Sequence, residues 1–186
     1  MIKILLTVFL IVLIPVYWKK YGPQNFLWLS DIGLFLTFFA LWLHSPLLIS
    51  MAVIGVLPFE IVWIVDYFYF LIRGRRLLGV SDYMFDPSLT LFIRSLSLFH
   101  IVMPFIWIYF LLNWGYDVKA IWYQTGLFWL ALVLTYFFTN PAENINWVFI
   151  SKVYHWRIRA YLWLILQCVG IPLIVYLPMH LWMQHL

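Results

Sequence analysis

Apolar residues run along this chain in six long stretches, residues 2–18, 26–43, 46–72, 91–112, 121–138 and 161–178, separated by short polar breaks. About 20 apolar residues cross the roughly 30 Å hydrocarbon core of a bilayer as a helix, and a backbone in lipid must satisfy its hydrogen bonds internally. The pattern therefore predicts an all-α fold, a polytopic membrane bundle of about six transmembrane helices. Each break has a local cause. Lys19, Lys20, Gly22 and Pro23 end the first helix, His44, Ser45 and Pro46 make a tight turn, and Asn113, Gly115 and Asp117 separate the fourth from the fifth. The third stretch is too long for one straight span, and Pro58 in its middle removes a helical hydrogen bond, so a bend is expected there. Two longer connections, residues 73–90 and 139–160, mix aromatic and polar side chains, as suits the membrane–water interface.

Composition strengthens this picture. The 186 residues are 66% hydrophobic and only 10% charged, against about 25% charged in an ordinary soluble domain, so no water-facing surface can be built from them. Six spans use most of the length, which leaves one integral membrane domain, residues 1–186. The first stretch reads as a retained helix and not a signal peptide, because no small-residue cleavage site precedes Lys19 and Lys20.

Charge adds orientation. The net +4 comes from basic residues flanking apolar runs, which selects lipid headgroups and not nucleic acid as the partner. With six spans, Lys19, Lys20, Arg73, Arg75, Arg76, Lys152, Arg157 and Arg159 fall on one side and Lys3 and Lys119 on the other. The positive-inside rule then makes the first side cytoplasmic and both termini non-cytoplasmic, in a plasma (inner) membrane. Cys168 is the single cysteine, which excludes an intramolecular disulfide, and His155, His180 and His185 lack metal-ligand spacing. Neither a metal nor a cofactor is expected.

Candidate chemistry lies inside the apolar stretches. A charge near the bilayer centre costs about 2.5 to 3.5 kcal/mol, so ionisable residues there are retained for a reason. Asp31, Glu60, Asp66, Arg94 and His100 are such residues. The orientation places four of them in the cytoplasmic half and Glu60 near the middle, which points to one polar cavity. The competing structural reading is that Asp31 or Asp66 pairs with Arg94 to neutralise buried charge, and that His100, with Ser97 three residues earlier on the same face, is an interhelical hydrogen bonder. Asn140, Asn144 and Asn146, after the fifth helix, either cap a broken helix or project amides into a pocket. The run 152–159, with Tyr154, His155 and Trp156 interleaved, is read as an interfacial anchor able to grip a phosphate headgroup.

Residues Asn25-Phe-Leu-Trp-Leu-Ser-Asp31 and Phe99-His100-Ile-Val-Met-Pro104 resemble multi-pass membrane proteins related to the androgen-induced hydrolase family. That resemblance, spanning the second to fifth helices, implies an intramembrane dyad of a threonine and a histidine that cleaves lipid esters, or, in cysteine-using relatives, moves acyl chains. His100 matches the family histidine. The threonine position falls at or near Trp28, and Ser30 is the nearest hydroxyl. The expected function is thus a lipid-directed hydrolase or acyltransferase with Ser30 as nucleophile, His100 as base and Asp31 or Asp66 orienting it, while Glu60, Asp66, Arg94, Asn140, Asn144 and Asn146 bind substrate. Two alternatives stand beside it: a non-catalytic scaffold or accessory subunit whose aromatic surface meets another membrane protein, and a small proton-coupled transporter using the same carboxylates as relays.

Overall fold

A computed structural model describes residues 1–149 and 159–185 of the chain, and all regular structure among them is helical. Helix α1 spans Ile2–Tyr21 and buries one narrow stripe, Leu6, Leu10, Leu13 and Tyr17. That three-to-four-residue spacing puts these side chains on the inner face and turns Ile4, Val8 and Ile11 outward. Gly22, at φ 83°, ends α1 in a conformation that disfavours any side chain. A 3-10 turn over Pro23–Leu27 then leads into α2, Leu29–Leu43. The sequence predicts helix from residue 26, but α2 begins later because Pro23 starts the tighter turn and a distant side chain, Asn146, takes up the free Leu29 amide.

His44, in left-handed conformation at φ 51°, ends α2, and Ser45 Oγ accepts from the Leu48 amide to start α3, Pro46–Gly55. α3 is the hub. Every residue from Ile49 to Gly55 is buried, because α3 packs against α2, α6 (Phe99–Trp114) and α7 (Ala120–Phe138). The bend expected from Pro58 is present: α3 breaks at Val56 from α4, Leu57–Arg73, by 49°. The ring at Pro58 has no N–H for the carbonyl a turn earlier, so the helix restarts there.

Past α4, a loop with a 3-10 turn at Asp82–Phe85 reaches α5, Leu91–Leu96. The expected helix over 91–112 is divided, since Ser97 and Leu98 separate α5 from α6. After α7, a 3-10 turn at Ile145–Trp147 precedes the undescribed residues. The run 152–159 lies outside the described residues apart from Arg159. The last helix extends beyond the expected 178: α8, Ala160–Ile171, passes through a π turn at Pro172–Tyr176 into α9, Leu177–Met183.

Among the described residues, four helical stretches are long and apolar enough to cross a membrane, and the α3–α4 pair is a fifth if the bent pair is one span, while α2 has 15 residues. The outer surface is apolar, with Phe105 70%, Trp122 76% and Ile174 76% exposed. This architecture is compatible with an integral membrane protein. Cross-links define its two ends. At one, Gln24 Nε2 donates to Glu143 Oε1 and Asn146 holds the start of α2. At the other, Trp42 Nε1 donates to Thr7 Oγ1, the Asp117 amide donates to Ser50 Oγ, and Tyr116 meets His180.

Candidate functional site

The break before α4 and the break before α6 deliver two titratable side chains to one place. Glu60 lies in the first turn of α4 and His100 in the first turn of α6. Their side chains meet with His100 Nδ1 2.6 Å from Glu60 Oε2, and both residues are buried. The imidazole is held on its faces as well. Trp63 stacks on one ring face at 4.5 Å and 19° and Phe99 packs at 4.2 Å and 24°, so ring orientation is fixed by packing together with a hydrogen bond. Trp63 is one helical turn from Glu60, which places the carboxylate and the indole on the same face of α4.

These residues form part of the wall of a cavity of about 960 Å³. Its lining is mainly apolar and aromatic, with Asp31, Glu60, His100, Asn146 and Gln167 among its polar groups. A large apolar hollow with few convergent polar groups is the usual form of a small-molecule site. It lies at the end of the bundle that carries Lys20 and Glu143, both of which line it.

Asp31, in the first turn of α2, accepts from Asn25 Nδ2 at 3.1 Å through Oδ2. Its Oδ1 and Glu60 Oε1 are buried with no hydrogen-bond partner among the described residues. Ser30 is half-buried in the same wall, and no hydrogen bond joins it to His100 among the described residues. Ser97 Oγ is bonded to Tyr17 Oη at 2.7 Å. Tyr83, from the loop after α4, closes this side; burial pushes its phenol well above the ordinary range, against a hydrogen bond to Ser97 that pulls it down.

Several expectations are corrected. The acid against His100 is Glu60, not Asp31 or Asp66. Asp66 is outside the cavity lining and uses both oxygens structurally: Oδ1 accepts from the Leu78 and Gly79 amides, and Oδ2 from the Ser81 amide and hydroxyl. Four donors wrapped around one carboxylate leave no place for Arg94. Arg94 Nη1 donates instead to the Met84 carbonyl at 3.0 Å, and no ion pair joins it to Asp31 or Asp66 among the described residues. Asn140 is exposed and accepts from the Ala142 amide within its own turn. Asn144, left-handed at φ 46°, accepts from the Phe149 amide. Both serve the loop and neither lines the cavity.

Asn146 combines both expected roles. Its Oδ1 accepts from the Leu29 amide, its Nδ2 donates to the Leu27 carbonyl, and the residue lines the cavity. Its own carbonyl accepts from Gln167 Nε2. Trp63, Tyr17, Tyr83 and Gln167 are site residues that the sequence did not single out. The spacing of Trp63 from Glu60 was a usable signal; the others come from distant segments with no local pattern to mark them. No protein-family model matches the chain, and no curated protein or solved structure matches it either.

Proposed function

We propose that this chain is a lipid-directed hydrolase or acyltransferase of the membrane, with His100 as general base, Glu60 as its orienting acid and the cavity as the seat of the lipid headgroup and ester. The supporting observation is the 2.6 Å contact of His100 Nδ1 with Glu60 in the wall of a largely apolar cavity. When Nδ1–H donates to the carboxylate, Nε2 keeps its lone pair and can take a proton from a hydroxyl or a water. The imidazolium that forms is stabilised by the carboxylate and by the π face of Trp63. The attacking oxygen bonds to the ester carbon as the bond to the alcohol oxygen breaks, and the proton held at Nε2 passes to the departing alkoxide. Where a serine attacks, a water or an acceptor hydroxyl deprotonated in turn by His100 then takes the acyl group and frees the serine. Ser30 is the hydroxyl on the cavity wall suited to attack, and a water activated directly by His100 is the other route. The resemblance of residues 25–31 and 99–104 to the androgen-induced hydrolase family supports His100 as the base, and places the family's threonine at or near Trp28, with Ser30 the nearest hydroxyl.

The same reading has α2 as the sixth crossing, both termini on the non-cytoplasmic face of an inner membrane, and the cavity opening toward the basic cytoplasmic side. The test is direct. The full chain in phospholipid vesicles should release fatty acid or transfer acyl groups, His100→Ala should abolish this, and Ser30→Ala should separate a serine nucleophile from an activated water. Ester turnover unaffected by His100→Ala would overturn the assignment.

A second reading, a proton-coupled carrier, is favoured by Asp31 Oδ1 and Glu60 Oε1, two buried acceptors without partners among the described residues. It predicts proton flux across sealed vesicles that Asp31→Asn removes, in the absence of ester turnover.

A further inference from the structure

We infer that the cavity takes its ligand head first and selects a head bearing a primary ammonium, held by Asp31 and Glu60. The inference rests on the cavity being the working site and names the ligand class it accepts.

The first ground is unsatisfied chemistry. Asp31 is 3% and Glu60 2% exposed, both line the cavity, and each keeps one carboxylate oxygen without a hydrogen-bond partner among the described residues. Leaving a buried acceptor unpaired costs about 1–3 kcal/mol, and more when it is charged. The partners these carboxylates already have do not fill that need, because Asn25 and His100 occupy only Oδ2 and Oε2. An incoming ammonium supplies what each of these oxygens lacks, an N–H donor for a charge-assisted hydrogen bond and a positive charge to balance the carboxylate.

The second ground is the sign of the lining. In a chain of net +4, the described residues around the cavity include four acids, Asp31, Glu60, Asp86 and Glu143, against Lys20. The outer two acids and Lys20 are exposed at the mouth, whereas the buried pair lies deeper. An apolar wall of low dielectric strengthens the field of that buried pair and concentrates cations over anions. The third ground is the aromatic lining, with Trp28, Phe59, Trp147 and Trp163 in the wall beside the acids. Ring faces attract a desolvated cation. Aromatic faces alone would suit a quaternary ammonium equally well. The two carboxylate oxygens decide between them, since only a head with N–H bonds can donate to them.

The experiment uses the full chain in phosphatidylcholine nanodiscs, with dodecylamine, dodecyltrimethylammonium and dodecanol titrated in turn and partition into empty nanodiscs subtracted. Dodecylamine should bind at least about tenfold more tightly than dodecanol, which corresponds to one charge-assisted hydrogen bond, and more tightly than the quaternary analogue. Asp31→Asn, which retains an oxygen for the Asn25 amide, should lower dodecylamine affinity about tenfold and leave dodecanol unchanged. Equal binding of the three amphiphiles, or an unchanged dodecylamine affinity in Asp31→Asn, overturns the inference, and would mean that the carboxylates are satisfied by protons alone. If Asp31→Asn does not fold, the ranking in the unaltered chain decides. Ester turnover without ammonium preference would sink this inference alone, whereas ammonium selection without turnover would sink only the hydrolase or acyltransferase reading.

Discussion

The indole of Trp63 lies nearly parallel to the imidazole of His100, with ring centroids 4.5 Å apart. The stack continues outward, since Tyr67 lies 5.1 Å from Trp63 at 13° and Phe85 lies 5.4 Å from Tyr67 at 23°. A row of rings from α4 and the loop after it, Trp63, Tyr67 and Phe85, thus braces the imidazole from the interior of the bundle outward. Replacing the buried Trp63 with alanine is expected to cost about 3–5 kcal/mol of stability, and Trp63→Phe to recover part of it. Thermal unfolding of the three proteins in the same detergent checks this, and equal midpoints for the parent and the alanine variant would refute the bracing role.

Glu60 and His100 should behave as one unit. Glu60→Gln is expected to lower ester turnover by about 10²- to 10⁴-fold, the range of a general-base contribution. The double variant with His100→Ala should be little worse than His100→Ala alone, because residues that act together do not add. A loss in the double variant equal to the product of the two single losses would show that Glu60 and His100 act independently.

Asp66 gathers four hydrogen bonds from residues 78–81. Asp66→Ala should therefore release the loop after α4 to added protease, at a stability cost of several kcal/mol, since hydrogen bonds to a charged group contribute about 1.5–3 kcal/mol each and do not sum fully. Arg94→Met is expected to disturb the same loop only mildly, because its donor serves a single carbonyl. A larger loss from Arg94→Met than from Asp66→Ala would reverse this order.

At the opposite end, Tyr116 Oη lies 2.6 Å from His180 Nδ1, and burial, with Asp117 nearby, raises its phenol from an ordinary 10.0 to about 12. A folded value above the unfolded one means that the stabilisation is fully present below pH 10.0 and is lost as pH rises through about 12. Tyr116→Phe should remove the part of the alkaline destabilisation that falls in this window. Tyrosinate absorbance followed alongside unfolding measures it, and identical alkaline limbs in both proteins would count against the link.

Much of the helix layout was legible because its causes are local. The His44–Pro46 turn follows from residues in place, and the bend from the missing N–H of Pro58. The division of residues 91–112 was not legible, since neither Ser97 nor Leu98 forbids helix. Within the site, Asp31 and His100 stood out because charge and imidazole are costly in lipid, but partner choice was hidden. Depth along ideal straight helices put Glu60 near the middle of the bundle and named Asp31 or Asp66 as the acid for His100, whereas the 49° bend and the Ser97–Leu98 break start the helices of Glu60 and His100 at the cavity. Arg94 was assigned an acid on charge alone, and a backbone carbonyl competed successfully for it.

The π turn at Pro172–Tyr176 sets the phase of everything after it. One extra residue in a turn rotates the downstream helix by about 100° relative to an unbroken α-helix. Tyr176 is thereby wholly buried, its ring 5.6 Å from that of Phe128, while His180 still reaches Tyr116. Upstream and downstream faces of the last span are consequently indexed to different neighbours, α7 above and the α6–α7 loop below. A one-residue deletion within the turn would leave composition and apolar length almost untouched and yet swing His180 toward lipid. The last span therefore carries a reading frame of its own, in which residue count matters more than residue type.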